Sequence, residues 1–244
     1  MTGQAPARIR LTNHAPGHKD GFHLKDSNLQ EAQSVRNLAL SYTTIAERLR
    51  DAGYATAHIG KWHLSYVAKE DRSTLSEPGL RPEHQGFEVN VGGCFRGGPP
   101  SYFAPYRIPA LEDGEEGEHL PERLADEAIA FVKQHRDGPF FLSWWPYSVH
   151  YPWQAPEALI KKYEPRKGPG IRNPTYAAMT EAMDQSIGRF LAQLDALGLA
   201  KNTIVLYLGD NGFALGEHGF YDKRDAFEES IRIPMLAYAP GSIK

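Results

Sequence analysis

The sequence predicts an α/β fold: a doubly wound, mostly parallel sheet with helices on both faces. Three observations carry this. Segments of helical and strand-like character alternate from residue 44 to residue 208, in the order helix, strand, helix, strand, helix, strand. The last strand-like segment opens the stretch "VLYLGDNG" at 205–212 and is a continuous apolar run without polar alternation, the pattern of a strand covered on both faces. The strand-like runs also lead straight into polar groups, and open α/β sheets bind ligands outside the carboxyl ends of their strands. With 244 residues, 41% apolar and 11% aromatic, the chain can bury a sizeable core.

The elements follow in order. The first 37 residues are polar, turn-rich and aperiodic, and read as loops. A helix opens at Thr44, where Glu47 three residues later completes a capping-box pattern. Ile45, Leu49 and Ala52 then recur at helical spacing until Gly53 ends it. "YATAHIG" reads as a short strand. Residues 66–122 are rich in Gly, Pro and charge, including "GGCFRGGPPSYFAPY" and "LEDGEEGEH", and read as long surface excursions that shape a cleft. "LPERLADEAIAFVKQH" predicts an amphipathic helix with Leu124, Ala128, Phe131 and Val132 on its apolar side. The strand "PFFLSWW" follows it, then a loop bearing Pro146, Pro152 and Pro156. "TYAAMTEAMDQSIGRFLAQLDALGL" places Met179, Met183, Ile187, Phe190, Leu191 and Leu194 at helical intervals and ends near Gly198. That helix feeds the strand Ile204, Val205, Leu206, Tyr207, Leu208.

Composition excludes some partners. A net charge of −3 gives no basic footprint for nucleic acid, and no window is apolar enough to span a bilayer. The single cysteine, Cys94, forms neither an internal disulfide nor a zinc cluster. The first residues lack the apolar stretch of a signal peptide. The apolar run just before "APGSIK" reads as a domain that continues, so residues 1–244 are taken as one incomplete domain.

Three strands end in groups able to do chemistry. The first leads into Gly60-Lys61-Trp62-His63, the second into the loop bearing His150, and the third into Asp210-Asn211, with His218 and Lys223 downstream. If the strands are parallel neighbours, these groups converge on one edge of the sheet. Asp210 and Asn211 offer a carboxylate and an amide carbonyl, which suit Ca²⁺ or Mg²⁺ better than zinc; Asp-Asn-Gly is equally the composition of a simple turn. Lys61 can hold a sulfate or phosphate oxygen as a point charge, or stand solvated at the surface. His63 and His150 can each move a proton at a leaving oxygen, or serve as structural histidines. Cys94 receives no role, and Trp62 reads as packing.

"GYATAHIGKWHLS" and "GDNGFALGEHGFYDKRDAFEESIRIPMLAYAPG" resemble the type I sulfatases of the alkaline phosphatase superfamily, and "PARIRLTNHAPG", "PEHQGFEVNVGG" and "PFFLSWWPYSVHYPWQAP" agree in the same order along the chain. The resemblance implies an alkaline phosphatase-like α/β/α sandwich and a sulfuric ester hydrolase. It implies that Asp210 and Asn211 ligate a metal, normally Ca²⁺ rather than Mg²⁺. Lys61 would touch both the sulfate and the nucleophile, and His63 would hydrogen-bond the nucleophile. His150 would be the general acid for the departing alcohol, Lys223 would hold a sulfate oxygen, and His218 would orient its loop or line the substrate cleft. The implied location is periplasmic or secreted. A sulfated carbohydrate is the expected substrate, on the strength of Tyr102, Tyr106, Trp144, Trp145 and Trp153 in segments around the site.

The departures are specific. Sulfatases of this type make a formylglycine from the Cys or Ser of a C/S-x-P-x-R motif and use two further aspartate ligands near the start of the domain. Residues 1–244 contain neither; Cys94 is followed by Phe95, Arg96, Gly97 and Gly98. The expectation is a fragment truncated at both ends and inactive alone. A phosphodiesterase or phosphonate hydrolase of the same superfamily, and a non-catalytic anion-binding module, are the alternative readings.

Overall fold

The computed structural model describes residues 1–14, 22–23, 25–66, 80–219, 221, 223 and 225–240. Residues 15–17 of the "PARIRLTNHAPG" stretch, 67–79 of the expected excursions, and the final 241–244 lie outside the described residues, as do 220, 222 and 224. The chain divides into two compact units, Met1–Pro152 and Trp153–Lys244.

In the first unit, α1 (Ile45–Asp51) begins as expected. The Thr44 side chain accepts from the Glu47 N–H at 3.1 Å, and the Glu47 carboxylate accepts from the Thr44 N–H at 2.7 Å. This reciprocal pair satisfies two of the donors that every helix start leaves open. β1 (Ala55–Gly60) follows, and β2 (Val89–Val91) and β3 (Phe140–Trp145) flank it, both parallel to it, in the order β2-β1-β3. As the central strand, β1 buries Thr56, Ala57, His58 and Ile59 completely. α2 (Leu120–Gln134) packs on β1 and β3, and its four predicted core residues, Leu124, Ala128, Phe131 and Val132, are all buried.

Residues 66–122 require a correction where they are described. β2 lies among them, and Phe87, Tyr102, Tyr106, Ile108 and Leu111 are buried. A three-residue strand carries no readable periodicity, and its place is set by its register against β1. Tyr102, Tyr106 and Trp145, three of the aromatics counted toward a carbohydrate substrate, serve packing instead. The first two are buried side chains, and Trp145 packs with Trp62 and Phe87 in the core under the sheet.

In the second unit, the loop after Pro152 gives way to α3 (Glu157–Tyr163), which the prolines had masked in the sequence. α3 packs on the long α4 (Pro174–Ala196). Asn173 caps α4 by accepting from the Tyr176 N–H at 3.1 Å, with Pro174 in the first turn. Ala178, Ala182, Ser186, Phe190 and Leu194 form its buried stripe at intervals of four; Met183, Ile187 and Leu191 are only half-buried. β4 (Val205–Leu208) exists where expected but is neither parallel nor covered. It pairs antiparallel with β5 (Met235–Tyr238), and Leu206, Leu208, Met235 and Leu236 are each more than half exposed. An apolar run reports that a strand is suited to burial. It does not report what covers the strand or in which direction its neighbour runs. A short helix, α5 (Glu228–Ile231), precedes β5. Among the described residues, no helix is long and apolar enough to cross a membrane.

Candidate functional site

The first unit brings three of the expected residues to one end of its sheet. Gly60 pairs with Trp145 at the last position of the β1–β3 ladder, and the Lys61 N–H donates to the Trp145 carbonyl at 2.7 Å. Gly60 has φ +101°, and a Cβ there would overlap the Trp145 carbonyl, so the close approach needs glycine. The next residue, Trp62, turns into the core. Its ring stacks on Trp145 at 6.0 Å, and its Nε1 donates to the Leu80 carbonyl at 3.1 Å. With Trp62 anchored as packing, the half-buried Lys61 and His63 flank it at the strand end. His63 takes φ +52° and its N–H donates to the Cys94 carbonyl at 3.0 Å.

His150 lies on the loop after β3. Its N–H donates to the Tyr147 carbonyl at 3.0 Å, and its Nδ1 lies 3.0 Å from the Tyr151 carbonyl. The buried Tyr102 hydroxyl holds this loop from below, against the carbonyls of Tyr147 at 2.6 Å and His150 at 2.9 Å. Two consecutive glycines complete the arrangement. A side chain at Gly97 would collide with the His63 ring, and one at Gly98 with the His150 ring. Both imidazoles therefore pack on one bare stretch of backbone. Sequence reading missed this role, although the doubled glycines of "GGCFRGG" were its visible signal. It also passed over His14, whose ring centroid lies 6.2 Å from that of His63.

The loop is held firmly. The Asn90 side chain donates to the Gly93 carbonyl and accepts from the Gly93 N–H, each at 2.9 Å, and the Tyr147 hydroxyl donates to the Gly92 carbonyl at 2.8 Å. Cys94 is buried, and burial pushes its thiol pKa up, which suits the absence of a chemical role. Beneath the site His58 is fully buried among Trp62, Phe87 and Trp145, with centroid distances of 5.1, 5.4 and 5.2 Å. Neither ring nitrogen has a hydrogen-bond partner of normal geometry. Burial lowers its pKa to about 3, the nearby backbone of Gly60 and Lys61 offsetting only part of the shift.

The second unit holds the other four residues. Gly209 follows β4 and its N–H donates to the Pro234 carbonyl at 3.2 Å, which places Asp210 and Asn211 at the strand's end. Gly212 docks on α5, where its N–H donates to the Ser230 carbonyl at 3.0 Å. The Asn211 Nδ2 donates to the Gly212 carbonyl at 2.8 Å, an arrangement that leaves Oδ1 as the acceptor end of the amide. Asp210 is exposed and Lys223 half-buried. His218 takes φ +54°, stacks on Phe227 at 4.0 Å and reaches the Glu229 carboxylate at 3.1 Å. Glu229 carried no signal in the sequence. The loop before His218 is tied by Glu217, whose pKa is held low by backbone N–H groups, its own and that of Leu215, with Arg172 adding to the effect.

Asp210 and Asn211 are hard oxygen donors of the type a Ca²⁺ site uses, but two donors fall short of the roughly six to eight oxygens that calcium takes. Among the described residues, no group of three or more His, Cys, Asp or Glu side chains could hold a metal ion.

The sulfatase family model matches residues 2–244. The N-acetylgalactosamine-6-sulfatase of Rattus norvegicus is 28% identical over 275 residues, covering 98% of this chain and 48% of its own length. The structure of Ps i-CgsB in complex with k-i-k-neocarrahexaose superposes with a TM-score of 0.71 at 23% identity, over 99% of this chain and 54% of the other. That of BT4656 with D-glucosamine-2-N,6-O-disulfate gives 0.61 at 22% identity, over 85% and 57%. These two are likenesses of fold. The chain spans about half the length of the curated relatives it matches.

Proposed function

The chain belongs to the sulfatase family, and from that premise we propose that residues 1–244 are one incomplete catalytic domain of a hydrolase that cleaves sulfate esters of carbohydrates. What supports the reading is that Lys61 and His63 follow β1 and His150 follows the adjacent parallel β3, at the carboxyl ends of both strands, with both imidazoles packed on Gly97 and Gly98. A lysine beside two histidines suits an anionic ester whose departing alcohol must be protonated. The carbohydrate assignment is supported by the relative named for N-acetylgalactosamine-6-sulfate and by the two sulfatase-fold structures with sugar ligands.

In this reading the Lys61 ammonium holds a sulfate oxygen and lies against the nucleophile, to which His63 hydrogen-bonds. Lys223 would hold a sulfate oxygen, a role that rests on the family resemblance alone. His150 gives its proton to the alcohol oxygen as the S–O bond breaks. Its Nδ1–H donates to the Tyr151 carbonyl, which assigns Nε2 to that transfer. His218, fixed by Glu229, orients its loop. Formylglycine, which residues 1–244 do not encode, would supply the nucleophile, and Asp210 and Asn211 would be two of the oxygen ligands of a Ca²⁺ ion whose chemistry is to neutralise negative charge.

The test is expression with flanking sequence in a host that makes formylglycine, assayed on an aryl sulfate and a bis-aryl phosphate. Sulfate turnover is expected, falling about a hundredfold or more in His150→Ala, and the 244-residue chain alone should show none. Hydrolysis of the phosphate diester with none of the sulfate would replace this reading with a phosphodiesterase. Turnover by the chain alone would show that the nucleophile has been misassigned.

A further inference from the structure

Arg96 stands immediately before the two glycines on which His63 and His150 pack. Consecutive Cα atoms are about 3.8 Å apart, which keeps its backbone within about 8 Å of the His63 ring. Its own N–H is directed at the Cys94 sulfur at 3.5 Å, and its guanidinium lies over the Phe95 ring, 5.3 Å from the centroid. The residue is half-buried, and its Nε is sealed from solvent with no hydrogen-bond partner. Other arginines of the same unit have oxygen partners: Arg123 binds Glu118 and Glu127 at 3.2 and 2.9 Å, Arg81 lies 3.9 Å from Glu83, and Arg10 donates to Gln33. Among the described residues, no carboxylate lies within ion-pair distance of Arg96.

A partly desolvated guanidinium without a counter-charge is costly, and here it is mounted on a loop fixed by Asn90 and Tyr147. Its planar fork of donors matches a carboxylate or a sulfate. Lys61, His63 and His150 already account for the ester under attack. We propose that Arg96 determines substrate specificity by binding a second anionic group, a carboxylate or a further sulfate carried on or next to the sugar whose sulfate is removed. This rests on the sulfatase reading of the same site. It predicts that polyanionic glycans are preferred over singly sulfated sugars.

Calorimetric titration of the 244-residue chain with three probes tests this: glucosamine 6-sulfate, glucosamine 2-N,6-O-disulfate, and a 6-sulfated hexosamine linked to a hexuronate. The wild-type chain should bind one or both doubly charged probes more tightly than the first. Arg96→Gln should abolish that preference, weakening the favoured probe about tenfold or more while leaving glucosamine 6-sulfate unchanged. Arg96→Lys should restore part of it. Preference for the disulfate identifies a second sulfate, and preference for the uronate a carboxylate. Lys61→Ala reports on the sulfate site separately: if it weakens none of the probes, the sulfatase reading fails whatever Arg96 does. Equal weakening of all three by Arg96→Gln, no change, or no wild-type preference would overturn the proposal.

Discussion

The Lys61 N–H donates to the Trp145 carbonyl at 2.7 Å. This bond continues the β1–β3 ladder one residue beyond the strand and sets the position from which the Lys61 side chain departs. Because His150 lies five residues after Trp145, the same bond couples the two segments that carry the candidate catalytic groups.

That coupling depends on Gly60. Gly60→Ala puts a Cβ into the Trp145 carbonyl and forces an alanine to φ +101°. Close overlap and left-handed strain each cost about 1–3 kcal/mol, so urea unfolding should show a loss of about 2–6 kcal/mol. A change under about 0.5 kcal/mol would mean that the two strand ends are not held as described.

Gly98→Ala drives a methyl group against the His150 ring, whereas Gly138→Ala meets no atom within 4 Å. A displaced general acid costs on the order of a hundredfold in rate. In the complete protein kcat on an aryl sulfate should fall by that order for Gly98→Ala and stay within about twofold of wild type for Gly138→Ala. Equal rates for the two variants would remove His150 from its assigned role.

His58 gives the first unit a dependence on acid. Burial holds its folded pKa near 3, far below the ordinary histidine value of about 6.5, so the unfolded chain binds the extra proton between those limits. The stability linked to neutral His58 is complete above about pH 6.5 and declines as pH falls toward about 3, by up to about 1.4 kcal/mol per pH unit. His58→Phe, which keeps an aromatic ring in the cage, should flatten that slope relative to wild type in chemical denaturation at stepped pH. Parallel slopes would show that the ring is not sealed from water in solution.

Calcium should bind residues 1–244 weakly. Asp210 and Asn211 leave most of the ion's hydration shell in place, and affinity follows the number and charge of the ligands. Calorimetry should give a millimolar Kd or no detectable heat, and Asp210→Asn should remove any signal. Micromolar or tighter binding would require a complete metal site on this chain.

What the sequence determined by itself is what local periodicity and local chemistry encode. The Thr44–Glu47 capping box, the apolar side of α2 and the strand character of residues 55–60 and 140–145 were all legible, because each is a pattern repeated within a few residues. The GKWH stretch was legible as the end of a strand for a related reason: an apolar run stops there and polar groups begin. The tertiary structure alone decided the rest. β2 is too short to carry a period, so its register against β1 placed it; Tyr102 and Tyr106 were drawn inward because neighbouring segments close over them; and β4 runs antiparallel to β5 with its apolar side chains exposed. Gly97 and Gly98 acquire meaning only once His63 and His150, 87 positions apart (150 − 63), are laid against them. A local pattern fixes what a segment can become, whereas its partner, direction and cover are properties of contacts between residues distant in the chain.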